Sequence, residues 1–137
     1  MRLGGTSDDG VNIKHKYTGG TPSPVSLQQN YGDDARSEVL LDGAGKIWIA
    51  TCSRSSDAGF RNLLTANGAF QSTLQGNQDA MILRFNANAN ALEFATLLGG
   101  SGDDAAYVIS IGITGNIYVA GGTGSTNFYG IVKRLAI

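Results

Sequence analysis

A long stretch of this chain occurs twice. Gly32-Asp33-Asp34-Ala35 returns as Gly102-Asp103-Asp104-Ala105, an offset of 70 in residue number (103 − 33), and the register then holds without a gap. Gly45-Lys46-Ile47-Trp48-Ile49-Ala50 falls on Gly115-Asn116-Ile117-Tyr118-Val119-Ala120, and Ser53-Arg54-Ser55-Ser56-Asp57 falls on Thr123-Gly124-Ser125-Thr126-Asn127. Carried backward, the same offset sets Asp9 on Asp79 and His15 on Phe85. Past Asn127 the register breaks: the segment 129–135 matches 79–85 at an offset of 50 (129 − 79), so the second copy lacks most of a loop (70 − 50 = 20). Repetition on this scale points to units that stack, because one such unit cannot bury its apolar faces alone.

Each copy carries four short strand signals separated by turn residues. In the second copy they are 93–98, 107–111, 117–121 and 130–135, with Gly-rich turns at 99–104 and 112–115. Their β-branched and apolar residues fit a pleated, half-buried surface. The first copy reads 25–27, 38–41, 46–51 and 79–85, its first strand confined to an edge by Pro22 and Pro24. Residues 11–17 read as a lone fourth strand before it. No segment keeps a 3.6-residue apolar period, although Arg61-Asn62-Leu63-Leu64 allows a helical turn in the loop 57–78. In Ile47-Trp48-Ile49 and Ile117-Tyr118-Val119 both strand faces are apolar, as in a strand covered on both sides.

Four strands per unit of this size is the pattern of a β-propeller blade. The reading is therefore all-β: four-stranded antiparallel sheets, about two blades plus one extra strand, in an open partial propeller. Residues 1–20 would end a preceding blade, 21–90 would form a blade with the long loop 57–78, and 91–137 would form a blade with a shortened loop.

Composition narrows the function classes. Charged residues are 15% of the chain and hydrophobic ones 42%, which excludes a charge-driven disordered segment. Ten Lys and Arg against 11 Asp and Glu give a net charge of −1, so nothing draws the chain toward nucleic acid or anionic lipid. No apolar run reaches the length of a membrane span, and the opening segment 1–9 contains no signal-peptide core. Cys52 is the single cysteine and cannot form an intrachain disulfide.

The run Leu92-Glu93-Phe94-Ala95-Thr96-Leu97-Leu98-Gly99-Gly100-Ser101-Gly102-Asp103-Asp104 resembles the SBBP repeat, a seven-bladed β-propeller repeat family of bacterial secreted and surface proteins. Gly115-Asn116-Ile117-Tyr118-Val119-Ala120-Gly121 is similar to that family's next strand, and Gly68-Ala69-Phe70-Gln71 to its loop. The first copy departs from the pattern, with Gln28-Gln29-Asn30-Tyr31 where Leu-Gly-Gly-Ser is usual, and the last copy lacks the Gly-Ala-Phe-Gln loop. The resemblance implies a scaffold or adhesion-like module at the bacterial cell surface or outside the cell, with any signal elsewhere in the parent protein. It brings no catalytic residues.

The candidate chemistry is sparse. Asp33-Asp34 and Asp103-Asp104 are paired carboxylates in equivalent loops, with Asp8-Asp9 a third pair, and such loops can offer oxygen ligands to Ca2+. The favoured reading is a turn, since Gly supplies positive φ and Asp side chains bond nearby backbone N–H groups. His15, the only histidine, takes an apolar strand position rather than that of a general base. Cys52 is a packing residue or a free thiol with no activating base in view. The run 121–125 is Gly-rich but lacks the Gly-Lys-Ser/Thr ending and following helix of a phosphate loop. Trp48, Tyr118, Tyr31 and Tyr107 could form an aromatic platform, but Trp48 and Tyr118 recur at one repeat position, which favours packing between sheets.

These residues support a non-enzymatic repeat scaffold, from a longer array or an oligomerising protomer, that needs no cofactor. Its expected partners are further blades or copies of itself, and a protein or carbohydrate ligand at its loops. The alternative is a propeller-based lyase or hydrolase with a cation held by the Asp-Asp loops.

Overall fold

Two hairpins at equivalent places in the repeat are closed by the same turn. In the first, the Asp42 amide donates to the Lys46 carbonyl at 3.0 Å and the Gly45 amide to the Asp42 carbonyl at 2.9 Å. In the second, Gly112 donates to Asn116 and Gly115 to Gly112, both at 2.9 Å. Gly45 and Gly115 stand at φ 74° and 79°, the left-handed region where a side chain is strained, which is why both copies keep glycine there. The computed structural model describes residues 4–7, 9 and 37–128.

The described residues are mostly β. In chain order they form β1 (Glu38–Leu41), β2 (Ile47–Ser53), α1 (Ala58–Ala66), β3 (Asp79–Phe85), β4 (Leu92–Leu98), β5 (Asp104–Ile111) and β6 (Ile117–Thr123). Strands β1 to β4 make one antiparallel sheet in sequential order, and β5 and β6 make a second. The expected strands at 11–17, 25–27 and 130–135 lie outside the described residues, as does most of the segment 1–20.

The grouping of strands differs from the repeat register in one respect. The register places the strand at 93–98 in the unit that follows residue 90, yet β4 pairs with β3 from Ala80↔Leu98 to Phe85↔Leu92, so hydrogen bonding runs across that boundary. The cause is local. Asn86 closes a tight turn, donating its amide to the Ala91 carbonyl at 3.0 Å while its side-chain oxygen accepts from the Asn90 and Ala91 amides. A hairpin this short sets the following strand antiparallel beside β3.

Strands β2 to β4 of the first sheet are covered on both faces, while Val39 and Leu41 of the edge strand β1 stay exposed on one. Met81, Leu83, Phe85, Ala95 and Leu97 pack on one side against Phe60 and Leu64 of α1. Trp48, Ala50, Ala80 and Ile82 pack on the other against Ala106 and Ile109 of the second sheet. The helical turn expected at 61–64 is thus the middle of a longer helix, α1. Its single i, i+4 apolar pair, Phe60 and Leu64, is too short a pattern to register as a period. Asp57 caps it, with Oδ1 accepting from the Phe60 amide at 2.9 Å. The chain leaving α1 then seals the outer edge of β4: Ala95 donates to the Asn67 carbonyl at 3.1 Å and Leu97 to that of Gln71 at 2.9 Å.

The sheets are fastened at both ends. Asp104 donates its amide to the Gln78 carbonyl at 2.8 Å, and the Gln78 side chain returns a bond to the Asp104 carbonyl at 3.2 Å. At the opposite end Glu38 Oε2 accepts from the Ile109 amide at 2.5 Å.

Candidate functional site

The carboxylate of Asp104 is fully buried and accepts hydrogen bonds from its own chain at both oxygens. Oδ2 takes the Gly100 amide at 2.8 Å and the Ser125 hydroxyl at 2.7 Å, and Oδ1 takes the Thr123 hydroxyl. The Ser125 oxygen in turn accepts from the Gly102 amide at 2.8 Å, and Asn127 Oδ1 accepts from the Ser101 amide and hydroxyl, each at 2.8 Å. The turn 99–104 is thereby clasped by a fork of alternate residues, Thr123, Ser125 and Asn127, at the end of β6. Alternation places the three side chains on one side of the strand end, toward the turn.

The same clasp is built a second time from other parts of the chain. Asp9 Oδ2 takes the Gly5 amide at 2.9 Å and the Ser55 hydroxyl at 2.8 Å, and Oδ1 takes the Ser53 hydroxyl. Ser55 Oγ accepts from the Ser7 amide at 3.3 Å, and Asp57 Oδ2 accepts from the Thr6 amide at 2.9 Å. The fork Ser53, Ser55 and Asp57 is the repeat equivalent of Thr123, Ser125 and Asn127 (123 − 53 = 70). Its turn does not follow that register. Asp9 stands at an offset of 95 from Asp104 (104 − 9), so it is the counterpart of Asp104 and not of Asp79, on which the repeat offset had set it. The matching signal is legible as Leu3-Gly4-Gly5 against Leu98-Gly99-Gly100, at an offset of 95 (98 − 3) and not at the 70 of the repeat.

A third carboxylate held by the chain, Asp79, is buried and fastens the long loop. Oδ2 accepts from Gln71 Nε2 at 2.5 Å and from the Gln75 amide at 2.9 Å. Burial pushes its carboxyl above the ordinary 3.8, against hydrogen bonds that pull the other way. Burial likewise pushes the Cys52 thiol up to about 12, with the Asp9 charge adding to the effect.

Of the metal candidates, Asp104 is held as described and Asp103 accepts at its backbone carbonyl from the Gly124 amide at 2.8 Å. Asp33 and Asp34 lie outside the described residues, as do His15 and Tyr31. Among the described residues, no three His, Cys, Asp or Glu side chains converge as a metal site would need. The Gly-rich run 121–125 ends in the fork, whose two hydroxyls donate to Asp104.

Trp48 and Tyr118, the aromatic pair that recurs at one repeat position, stand in different surroundings. Trp48 is buried between the sheets, tilted on Phe94 at a centroid distance of 6.2 Å, with the Arg84 guanidinium 5.2 Å over its ring. Tyr118, at the equivalent position, is 58% exposed. The partner that sequence reasoning missed is Phe94, which reaches Trp48 only because β4 joins the first sheet. A cleft of about 360 Å3 opens beside this pair, lined also by Phe70, Arg84, Ile117 and Val119. Arg84 pairs with Glu93 at 3.2 Å, and the same carboxylate oxygen holds Lys46 at 2.6 Å.

No protein-family model matches the chain, and neither does any curated protein or solved structure.

Proposed function

We propose that the chain is a segment of a β-propeller repeat array, related to the SBBP repeats, that serves as a non-enzymatic structural or binding scaffold at the surface of a bacterium or outside it. One observation carries this reading: equivalent faces of the two repeats differ in whether they are covered. The face of the first sheet bearing Leu40 and Trp48 is packed against β5 and β6. The same face of the second sheet bears Ser110 and Tyr118 at the equivalent positions, and it is open, with Val108 beside them 40% exposed. On the other side, Ile109 is buried while its counterpart Val39 is 62% exposed. The first sheet thus packs on the second, leaving Val39 and Leu41 exposed on one side and Val108 and Tyr118 on the other for a further blade to cover.

Ligand contact belongs to the loop side. The aromatic cleft at Trp48, Phe70 and Phe94, with Arg84, Glu93 and Lys46 beside it, suits a carbohydrate or peptide that stacks and hydrogen-bonds. The test is an activity screen on polysaccharides and lactones beside a binding array of glycans and proteins. Binding without turnover is expected. Chelator-sensitive turnover that disappears in Asp103→Asn would replace the scaffold with the metal-dependent lyase or hydrolase.

A further inference from the structure

The two clasps make equivalent bonds through different connections. Gly5, Thr6, Ser7 and Asp9 bond Ser53, Ser55 and Asp57 just as Gly100, Ser101, Gly102 and Asp104 bond Thr123, Ser125 and Asn127. In the second clasp a single hairpin, β5 to β6, joins Asp104 to Thr123. In the first, the connection from Asp9 to Ser53 is more than twice as long (53 − 9 = 44 against 123 − 104 = 19). Recognition thus resides in the turn and the fork and does not require that they be neighbours in sequence.

The fork also states what it accepts. A Cβ at Gly5 would lie 2.5 Å from Ser55 Cβ, and one at Gly100 would lie 2.8 Å from Ser125 Cβ, so both clasps need glycine at that position. The turn that the repeat register would bring to Ser53 ends at Asp34 and carries Asn30 there (100 − 70). A side chain at that position of any turn seated in the fork would meet the serine, Ser55 or Ser125, at its centre. Ser53 and Ser55 are themselves buried, and a fork left empty would strand their hydroxyls.

We propose that Ser53, Ser55 and Asp57 form a peptide-binding fork for Gly-Gly-x-x-Asp-Asp turns, and that it takes the turn ending at Asp9 from a second copy of the chain as well as from its own. Exchange of an identical element between copies needs no new contacts. The proposal is independent of the propeller reading, because a chain of any architecture with these hydrogen bonds carries the fork.

The experiment is light scattering on the full chain over a dilution series, with and without the peptide Leu-Gly-Gly-Thr-Ser-Asp-Asp. The expected mass rises above 14.2 kDa with concentration. Excess peptide returns it to that of the single chain, whereas a control peptide with Asn for the second Gly does not. Gly5→Asn in the chain should abolish the association without altering either sheet, checked by circular dichroism. An unchanging monomer overturns the exchange, and so does an association that the peptide leaves intact. Association through the open apolar face would respond to Tyr118→Lys and not to the peptide, which separates this test from that of the scaffold reading.

Discussion

Gln71 donates from Nε2 to Oδ2 of Asp79 at 2.5 Å, with both side chains buried between the long loop and the first sheet. The bond fixes the loop, because Gln71 also accepts the Gly99 amide at Oε1 and so ties the chain after α1, β3 and the turn after β4 together. Burial raises the Asp79 carboxyl above 3.8, and the sign of the consequence follows. Between the ordinary and the raised value the folded chain holds a proton that the unfolded chain has released. The Asp79 contribution is therefore fully present below pH 3.8 and is lost as pH rises through the folded value. Asp42 and Asp57 are shifted the other way by backbone hydrogen bonds, so their contributions are present above 3.8 and are lost as pH falls through their lowered values. In urea titrations across pH, the stability of the wild-type chain relative to Asp79→Asn should fall as pH climbs above 3.8. A difference that stays level would show that Asp79 does not titrate differently on folding.

Ala89 sits at φ 55° in the turn between β3 and β4, where the two other described hairpins use Gly45 and Gly115. A Cβ in the left-handed region costs roughly 1–2 kcal/mol, and glycine's added freedom in the unfolded chain takes back part of the gain. Ala89→Gly should therefore stabilise the chain by about 0.5–1 kcal/mol in chemical denaturation. Loss of stability would mean that the turn has relaxed around alanine.

How far the sequence could be read is clearest at these turns. The repeat placed β1, β2, β3, β5 and β6 close to their observed bounds, because strands and Gly turns are local signals. Two features lay beyond it. β4 joins the first sheet through the turn at Asn86, a choice between two neighbouring sheets that no periodicity encodes. Asp9 serves the fork at Ser53 and Ser55 from an offset of 95, which the repeat register of 70 does not encode.

Cys52 is 1% exposed, packs against Ala105, and has a thiol pushed up to about 12 by burial and by Asp9. Alkylation needs the thiolate, so the native chain should resist iodoacetamide at neutral pH and react fully once unfolded in urea. Mass spectrometry of the alkylated chain reads both states. Rapid native labelling would place Cys52 at a surface that opens readily.

Glu38 crosses from β1 to accept the Ile109 amide at 2.5 Å, and it is a side-chain link between the sheets at the end away from Gln78. Ile109 stands just past the irregularity of β5 between Ala106 and Val108. Glu38→Ala would leave that N–H without an acceptor inside the interface, a cost of about 1–3 kcal/mol. Glu38→Gln keeps a carbonyl oxygen at the same reach and should lose less than half as much. Urea unfolding of the two variants measures the difference, and Trp48 fluorescence reports the interface itself, since that ring lies between the sheets. Equal losses would assign the effect to the charge of Glu38 and not to the amide it holds.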